Sequence, residues 1–591
     1  MKNPIDFFRH PQDPGQLQYE ALRASFLERL PASAVAERFQ MSPGYVHVLR
    51  HRFRRGLLHF TFRPADVPGA RRGTPAAIRA RIIEMRRQRD LSAGQIAEII
   101  EDEGTDISVR TVERILREAG LPKLPRRTRL LIGQTRAHTT VPEASRRLEA
   151  ADMTGMTVES DMAGVFAFAP FIEQLGLPAL VAGGRLPGSK PIPPLQYFLS
   201  FLALKLVGTE RLSHTDDHNF DAGLGLFAGL NVLPKCTAMS TYAYSLNEPV
   251  LDRLQRGVAK AGHRLGLYAA DTINLEFHAV PHWGDESVLD KHWVGARNKG
   301  IKSALTLFAQ DCTSKLILYT QADIRRREAD DQVLAFVRFW RSIPKGPGGA
   351  SPRGREAVAR SVTPTLVFDS RFTSYTQLHR LDAQGIRFIT LRRRGVSLIR
   401  QAEAQPPSAW TQVTIPHDKR KYPRPLVLES RIRLPGYQGS MRQIIMRGTG
   451  HEKPTFLITN DFRTAVEVII SRYARRWNVE NVIAEAVKFF HLNALSSPIL
   501  VKVHFDVVLT MVADTLYYLL AKRLRGFEEC NAPQIFRNFI RGKGQITVTA
   551  DEIRVRYPKR AHNPLLRGVL WDKLPERVSW MGGRKLRLEW Q

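Results

Sequence analysis

The sequence is poor in cysteine and short of acidic residues. Its three cysteines, Cys236, Cys312 and Cys530, lie far apart and form no CxxC pair. This spacing excludes a zinc framework and favours reduced thiols in a cytosolic protein. Over 591 residues, 57 Asp and Glu stand against 88 Lys and Arg, which gives a net charge of +31. Such a basic excess implies a polyanionic partner, and nucleic acid is the usual one.

Long hydrophobic runs and motifs for covalent catalysis are also lacking. The most apolar segments, 194–206 and 507–520, are too short to cross a bilayer and contain polar residues. Residues 1–6 lead into no apolar signal core. We therefore expect no membrane partner and a cytoplasmic, nucleoid-associated protein. Without a Gly-rich phosphate loop or a nucleophilic Ser or Cys motif, ATP-driven and covalent recombinase chemistry lack support.

Two basic helical modules are predicted near the N-terminus. Residues 15–57 read as three short helices, and the third follows an N-cap serine, Ser42, and a proline at the first helical position. The pattern recurs over residues 75–120, where Ser92 and Ser108 are the predicted caps. A helix, a turn and a basic helix form the layout of a major-groove reader.

Arginines mark the predicted DNA contacts of these modules. One short arginine tract lies between the two modules and another follows the second, as suits a minor groove or a phosphate backbone. The alternative is a pair of protein-binding modules with solvated charge runs. Because the arginines fall on or beside the third helices, DNA is favoured. The candidates are Arg50, Arg52, Arg71, Arg72, Arg110, Arg126 and Arg127.

From residue 264 onward the pattern changes from helices to strands. Asp271 lies inside the first predicted strand, and Asp369 ends a later one. The order β-β-β-α-β-α-β predicts a mixed α/β fold with acidic residues at strand ends. The predicted elements are a strand over 267–277, a hairpin of 304–309 and 315–321, a helix over 329–341, a strand over 365–368, a helix over 375–382 and a strand over 387–391.

A β-rich insertion with a basic face is predicted next, and it precedes a single long helix from about Thr464 to Phe490. On that helix Tyr473, Arg476 and Glu480 stand at i, i+3 and i+7 and therefore share one face. Alone, this triplet would be read as packing and an ordinary ion pair. The arginine-dense turn and the preceding strand-end aspartates favour a functional site instead.

Three other carboxylates compete for roles in that site. Glu276 lies an odd number of residues from Asp271 on the same strand and so faces the opposite side. Asp311 lies in the hairpin turn, and Glu485 is about 140° around the helix from Glu480. We interpret each as a surface or structural group.

The segment Ser471–Asn481 resembles the Tyr-x2-Arg-x3-Glu signature of DDE transposases of bacterial insertion sequences. It is similar to the group whose RNase H-like core carries a β-rich insertion before its last acidic residue. The resemblance implies that Asp271, Asp369 and Glu480 are catalytic and hold two Mg²⁺ ions, for which Mn²⁺ can substitute. It also implies that Tyr473 and Arg476 contact DNA phosphates beside the cleaved bond.

The lysine of the signature is displaced by one residue. The family pattern has Lys seven residues after Glu, where this chain has Val487, and the lysine is Lys488. One extra step turns a side chain by about 100° on a helix. We therefore expect Lys488 to contact DNA only if a long side chain or a π-bulge recovers the position.

The predicted fold class is multidomain α+β, with a helix-turn-helix pair before an RNase H-like mixed α/β catalytic core that carries the β-rich insertion. The predicted boundaries are 1–62 and 63–130 for the two helix-turn-helix modules, 131–160 for a linker, 161–262 for a helical segment leading into the core, 263–394 and 461–526 for the two parts of the core, 395–460 for the insertion, and 527–591 for a basic C-terminal tail region.

The resemblance predicts a transposase that binds the ends of its own element and catalyses Mg²⁺-dependent strand cleavage and strand transfer. Its expected partners are DNA, as terminal inverted repeats and target, and a second copy of the chain in a homodimeric DNA complex. Two alternatives stay open: a nuclease with the same triad but no strand transfer, and a catalytically silent DNA-binding regulator.

Overall fold

The computed structural model describes residues 14–54, 74–121 except 90, 104 and 106, 143–281, 289–294, 298–343 except 323, 364–370, 374–415, 423–493 except 451, and 500–590. The chain divides into two compact units, Met1–Thr139 and Thr140–Gln591.

The first unit contains two groups of three helices, each with its own apolar core. The predicted caps are present, since the Ser92 and Ser108 hydroxyls accept hydrogen bonds from the backbone N–H of Gln95 and Thr111, both at 3.3 Å. The helices are α1 (Pro14–Phe26), α2 (Ala32–Arg38) and α3 (Pro43–Arg54), then α4 (Ala76–Arg89), α5 (Ala93–Asp102) and α6 (Val109–Glu118).

The second unit opens with a mostly helical segment, as predicted for residues 161–262, and one short strand that was not predicted precedes it. Its buried phenylalanines, including Phe166, Phe168, Phe171 and Phe198, form the centre of the largest apolar core. The elements are α7 (Ala150–Met153), β1 (Thr157–Ser160), α8 (Ala169–Leu175), α9 (Leu177–Gly184), α10 (Pro194–Leu206), α11 (Ala222–Phe227), α12 (Cys236–Tyr242) and α13 (Glu248–Arg264), with 3-10 turns at Ala163–Phe168, Leu212–His218 and Ala243–Ser245.

A mixed sheet then forms the centre of the second unit. Strand β2 pairs in parallel with β6, and β6 with β7, whereas β4 is antiparallel to both β2 and β5. The strand order 5-4-2-6-7 and these directions fit an RNase H-like core. The elements are β2 (Thr272–Pro281), β3 (Lys291–Val294), β4 (Lys299–Asp311), β5 (Ile317–Gln321), α14 (Gln332–Ser342), β6 (Thr365–Phe368), α15 (Tyr375–Ala383) and β7 (Phe388–Leu391), with a 3-10 turn at Arg326–Asp331 before α14.

The strands of the predicted β-rich insertion extend this sheet instead of forming a layer of their own. Strand β11 pairs antiparallel with β7, and β10, β9 and β8 follow in order toward the edge. Part of the predicted basic face, Lys419–Lys421, lies outside the described residues. The elements are α16 (Val396–Glu403), β8 (Thr411–Gln412), β9 (Leu426–Ile432), β10 (Met441–Arg447) and β11 (Thr455–Thr459).

The prediction of one unbroken helix over Thr464–Phe490 is wrong. The segment forms α17 (Val466–Ala474) and α18 (Trp477–Lys488), separated by a tightened turn at Arg475 and Arg476. The turn lies against two buried amides of the sheet. Asn274 Nδ2 donates to the Arg475 carbonyl at 3.5 Å, and Gln310 Nε2 donates to the Asn478 carbonyl at 3.4 Å.

The last long helix, α19 (Leu500–Ala521), extends beyond the apolar segment 507–520 at both ends. Its residues Val501–Ala521 are long and apolar enough to cross a membrane, which corrects the expectation from sequence. Within the protein 83% of its most apolar window is buried, so its apolar surface is covered by the chain itself. The buried core helix of a globular protein can be equally long and apolar. The bent pair of Ala163–Leu175 and Leu177–Gly184 is long enough only if its two helices are counted as one span.

The predicted basic tail is a folded region built on a second sheet. Its strand order is β1-β12-β13-β15-β14, so the predicted linker supplies the edge strand β1. The tail therefore packs with residues far away in sequence, and the last residues of the predicted linker form a strand of the same sheet. The elements are α20 (Ala532–Ile535), a π-helix (Phe536–Ile540), β12 (Gly544–Val548), β13 (Glu552–Tyr557), α21 (Asn563–Arg567), β14 (Arg577–Val578) and β15 (Arg584–Trp590).

Candidate active site

The register of the central parallel strands brings Glu276 beside Asp369. Pairing runs from Thr272 with Thr365 to Leu275 with Phe368, so the next positions are Glu276 and Asp369. Asp369 follows directly on β6, as predicted, and is half-buried. Two acidic side chains from neighbouring strands therefore share one end of the pair.

Asp271 lies at the other end of the same pair. It precedes β2, is exposed, and its carbonyl oxygen accepts a hydrogen bond from the Thr365 N–H at 2.9 Å. Five residues of extended chain separate it from Glu276, or about 16 Å along the strand. The structure thus does not bring Asp271 together with Asp369, and the predicted triad is not assembled as a unit.

The cause is that the apolar run before Asp271 does not form a strand. Tyr268 is buried, with its ring centroid 5.2 Å from that of His263. Ala270 adopts a left-handed φ of 58°, and its N–H donates to the Asp311 carboxylate at 2.8 Å. These contacts fix 267–271 as an irregular connection, so β2 begins five residues later than predicted.

The polar face of β2 is directed toward the turn between α17 and α18. Asn274, Glu276 and His278 alternate along the strand and therefore lie on one face. Asn274 donates to the carbonyl of Arg475, Glu276 pairs with Arg476, and His278 Nε2 lies 2.9 Å from Asn493 Oδ1. Glu276 had been interpreted as a surface or structural group. The structure instead shows a carboxylate whose side chain is only 14% exposed.

Arg476 connects this strand to Glu480. One guanidinium nitrogen pairs with the Glu276 carboxylate, and Nη2 lies 2.7 Å from Glu480 Oε1. The guanidinium carbon is 5.8 Å from the Tyr473 ring centroid. The predicted shared face of Tyr473, Arg476 and Glu480 thus survives the helix break, because the turn keeps near-helical spacing.

The electrostatics reflect a cluster of acids around one cation. Burial raises the pKa of the Glu276 carboxyl to about 8; Arg476 opposes this shift, while Asp369 and Glu480 reinforce it. Burial also raises the pKa of Tyr473 to about 12. Burial alone would lower the pKa of Arg476, but Glu276, Tyr473, Glu480 and Asp369 raise it overall, so its guanidinium stays charged.

The other competing carboxylates have structural partners. Asp311 is buried and accepts hydrogen bonds from the Ala270 N–H and from the Ser314 N–H and hydroxyl. Glu485 accepts from the Ala532 N–H at 2.9 Å. Their interpretation as structural groups agrees with these contacts.

Apart from Tyr473 and Arg476, which are described above, the predicted DNA-binding residues fall into three sets. Arg52, Arg110 and Lys488 are exposed, and Lys488 is the last residue of α18, away from the ion pairs of Glu480. Arg50 is half-buried, and its guanidinium donates to the Leu30 carbonyl at 2.7 Å. The remaining four, Arg71, Arg72, Arg126 and Arg127, lie outside the described residues.

The donor set fits a hard divalent cation by chemical type, since Glu276, Asp369 and Glu480 supply carboxylate oxygens. As arranged, however, no three acidic, His or Cys side chains among the described residues lie close enough to hold a metal ion. The guanidinium of Arg476 contacts two of the three carboxylates. Closing these oxygens around an ion therefore requires Arg476 to move.

Comparison with known proteins finds a family match for the segment that contains Asp369, Arg476 and Glu480. Among solved structures, the chain is similar to the crystal structure of the Mos1 strand transfer complex, with 11% identity over 65% of this chain and 79% of that chain; the TM-score of 0.12 does not establish a common fold. No curated protein matches the chain. Residues 351–514, which include Asp369, Arg476 and Glu480, match the family model described as the transposase DDE domain. The similarity to a transposase DDE domain is therefore shown for this segment of the chain.

Proposed function

We propose that the protein binds the ends of its own insertion element and catalyses cleavage and strand transfer there, with Glu276, Asp369 and Glu480 as its acidic triad. The observation that carries this proposal is the β2–β6 register, which sets Glu276 beside Asp369, with Arg476 bridging from Glu276 to Glu480. The match to the transposase DDE domain supports the reaction class.

Glu276, Asp369 and Glu480 would hold the divalent ions, expected to be two Mg²⁺, which would activate the attacking oxygen and stabilise the leaving oxygen. The chain's own residues position the DNA. Arg476 and Tyr473 lie beside the carboxylates, and an arginine is suited to a phosphate because its planar fork can donate two hydrogen bonds. Half-burial of the acidic groups keeps bulk water from screening these contacts.

End recognition is assigned to the two three-helix groups of the first unit. Exposed Arg52 on α3 and Arg110 on α6 are the described side chains best placed to contact DNA from a basic third helix. The net charge of +31 supports attraction to DNA over the whole chain. A homodimer in the DNA complex and a nucleoid-associated location complete the proposal.

The test is cleavage and joining of an element-end duplex with Mg²⁺ or Mn²⁺ and a target plasmid. Wild type should nick the end and join it to the target, whereas Glu276→Gln, Asp369→Asn and Glu480→Gln should each lose both activities. Asp271→Asn is the matched control and should keep them. Cleavage without joining would favour a nuclease, and end binding without cleavage under either metal would favour a silent regulator.

A further inference from the structure

The guanidinium of Arg476 uses the same carboxylate groups that the proposed metal site requires. Its Nη1 pairs with Glu276 Oε2 and its Nη2 with Glu480 Oε1, the latter at 2.7 Å. The Arg476 side chain is only 13% exposed, whereas that of Glu480 is 36% exposed. The pair between Arg476 and Glu480 is therefore open to solvent on the Glu480 side.

Divalent ions and this guanidinium compete directly. Both are cations that need oxygen atoms of Glu276 and Glu480, and like charges at such short range repel strongly where burial limits screening. A single carboxylate such as that of Asp369 is by itself a poor site for a divalent ion. As long as Arg476 bridges the two glutamates, we therefore expect weak binding of such an ion.

A DNA phosphate offers Arg476 an alternative anionic partner. Arginine binds phosphate through a bidentate fork as well as it binds a carboxylate. Movement toward a phosphate would release both glutamates at once, because one side chain holds both. Tyr473, with its ring centroid 5.8 Å from the guanidinium carbon, offers a surface along which the arginine can turn without losing its cation–π contact.

We propose that Arg476 couples DNA binding to metal binding: it occupies the cation position between Glu276 and Glu480 in the DNA-free protein and gives it up to the metal when a DNA phosphate takes the guanidinium. This inference rests on the proposed function of the same acidic cluster. Its consequence is that the DNA-free enzyme binds divalent ions weakly and is protected from cutting before an end is in place.

The test measures Mn²⁺ binding to the full-length protein by electron paramagnetic resonance, with and without an uncleaved element-end duplex, at one fixed pH. In the absence of DNA, Arg476→Gln should bind Mn²⁺ about tenfold more tightly than wild type, a usual size for coupling between two sites. Wild type should gain affinity for Mn²⁺ when DNA is added. In Arg476→Gln that gain should be smaller by the same factor of about ten.

Arg475→Gln is the matched control, because Arg475 is the exposed neighbour in the same turn and forms no ion pair with the two glutamates among the described contacts. It should bind Mn²⁺ as wild type does. Arg476→Lys should be intermediate, since a single ammonium cannot bridge both carboxylates with the same geometry. Thermal unfolding of each variant checks that the fold is retained.

The outcomes separate the two proposals. Equal Mn²⁺ affinity of wild type and Arg476→Gln without DNA, with an equal gain on adding DNA, overturns the coupling while leaving the acidic triad in place. If Glu276→Gln and Glu480→Gln, each combined with Arg476→Gln, bind Mn²⁺ as tightly as Arg476→Gln alone, the metal site itself is misplaced and the proposed function fails with it.

Discussion

Glu276 and Asp369 are neighbours across the parallel strands β2 and β6, one residue beyond the last pair of their register, Leu275 with Phe368. Because a parallel sheet holds its strands about 4.8 Å apart, their carboxyl groups are fixed on neighbouring positions by the backbone itself. Glu480 is joined to Glu276 through Arg476 and not by the sheet. The backbone thus fixes Glu276 and Asp369, whereas the link to Glu480 is lost when the Arg476 side chain moves.

The first prediction contrasts the two candidates for the first acidic position. Glu276→Gln keeps the size of the side chain but replaces the carboxyl group that would bind the metal with an amide, so cleavage of element-end DNA should fall by at least about a hundredfold. Asp271→Asn should change the rate little, because Asp271 is exposed at the far end of the strand pair. Single-turnover cleavage measures both, and a larger loss from Asp271→Asn would restore the triad expected from sequence.

The second prediction concerns stability against pH. Burial holds the pKa of Glu276 at about 8 in the folded chain, above the ordinary value of 4.5 that applies after unfolding. Between these values the folded state holds a proton that the unfolded state has lost, so this group's stabilising contribution is complete below about pH 4.5 and is lost as the pH rises through 8.

The measurement is the free energy of unfolding of the second unit across this pH range, by denaturant titration of the full chain. Wild type should lose up to about 1.4 kcal/mol per pH unit from this one group relative to Glu276→Gln. The comparison isolates Glu276, because the variant has no titrating group at that position. Parallel curves for the two proteins would show that the carboxyl is not shifted.

Much of the fold could be predicted from the sequence, because the residues that set it act locally. Capping serines Ser92 and Ser108 fixed two helix starts, and a short continuous apolar run gave strand β6 to the residue. The order of strands and helices in the core also followed from such runs. Where longer-range contacts decide, prediction failed, as in the pairing of β1 with β12 nearly 400 residues later.

The site shows the same division. The face shared by Tyr473, Arg476 and Glu480 followed from helix periodicity. Which side of β2 carries the site could not be read from the alternation of its residues. A signal was present nonetheless: Asn274, Glu276 and His278 are three polar residues in succession on one face of an otherwise apolar strand. Such a row needs polar partners when it is buried.

The third prediction tests whether the C-terminal region is an integral part of the second unit. A Cβ added at Gly164 would meet the backbone of Ile540 at 2.2 Å from its carbonyl oxygen, a contact that neither segment can relieve by turning a side chain. Gly164→Ala should therefore lower the free energy of unfolding by about 1–3 kcal/mol or more. Gly183→Ala, in helix α9 with no atom within 4 Å of the new Cβ, is the control and should be neutral or slightly stabilising.

Thermal unfolding of the full chain distinguishes these two variants. If the tail region were a loosely attached extension, Gly164→Ala would shift only a small, separate transition and leave the main one unchanged. Cooperative loss in the main transition is expected, because Tyr557 of β13 also donates its hydroxyl to the Ala163 carbonyl in the same contact.

The fourth prediction separates recognition from folding in the first three-helix group. Arg50 donates to the Leu30 carbonyl at 2.7 Å, so Arg50→Ala should cost about 1 kcal/mol of stability along with any loss of DNA binding. Arg52 is exposed on the same helix, and Arg52→Ala should weaken binding to an element-end duplex with little change in stability.

Titration by fluorescence anisotropy at several salt concentrations gives both the affinity and the number of phosphate contacts. Loss of one phosphate contact should reduce the slope of log affinity against log salt by about 0.9. The result that would contradict this prediction is an unchanged slope and affinity for both Arg52→Ala and Arg110→Ala. DNA recognition by these helices would then lose support, and protein binding by both groups would be favoured.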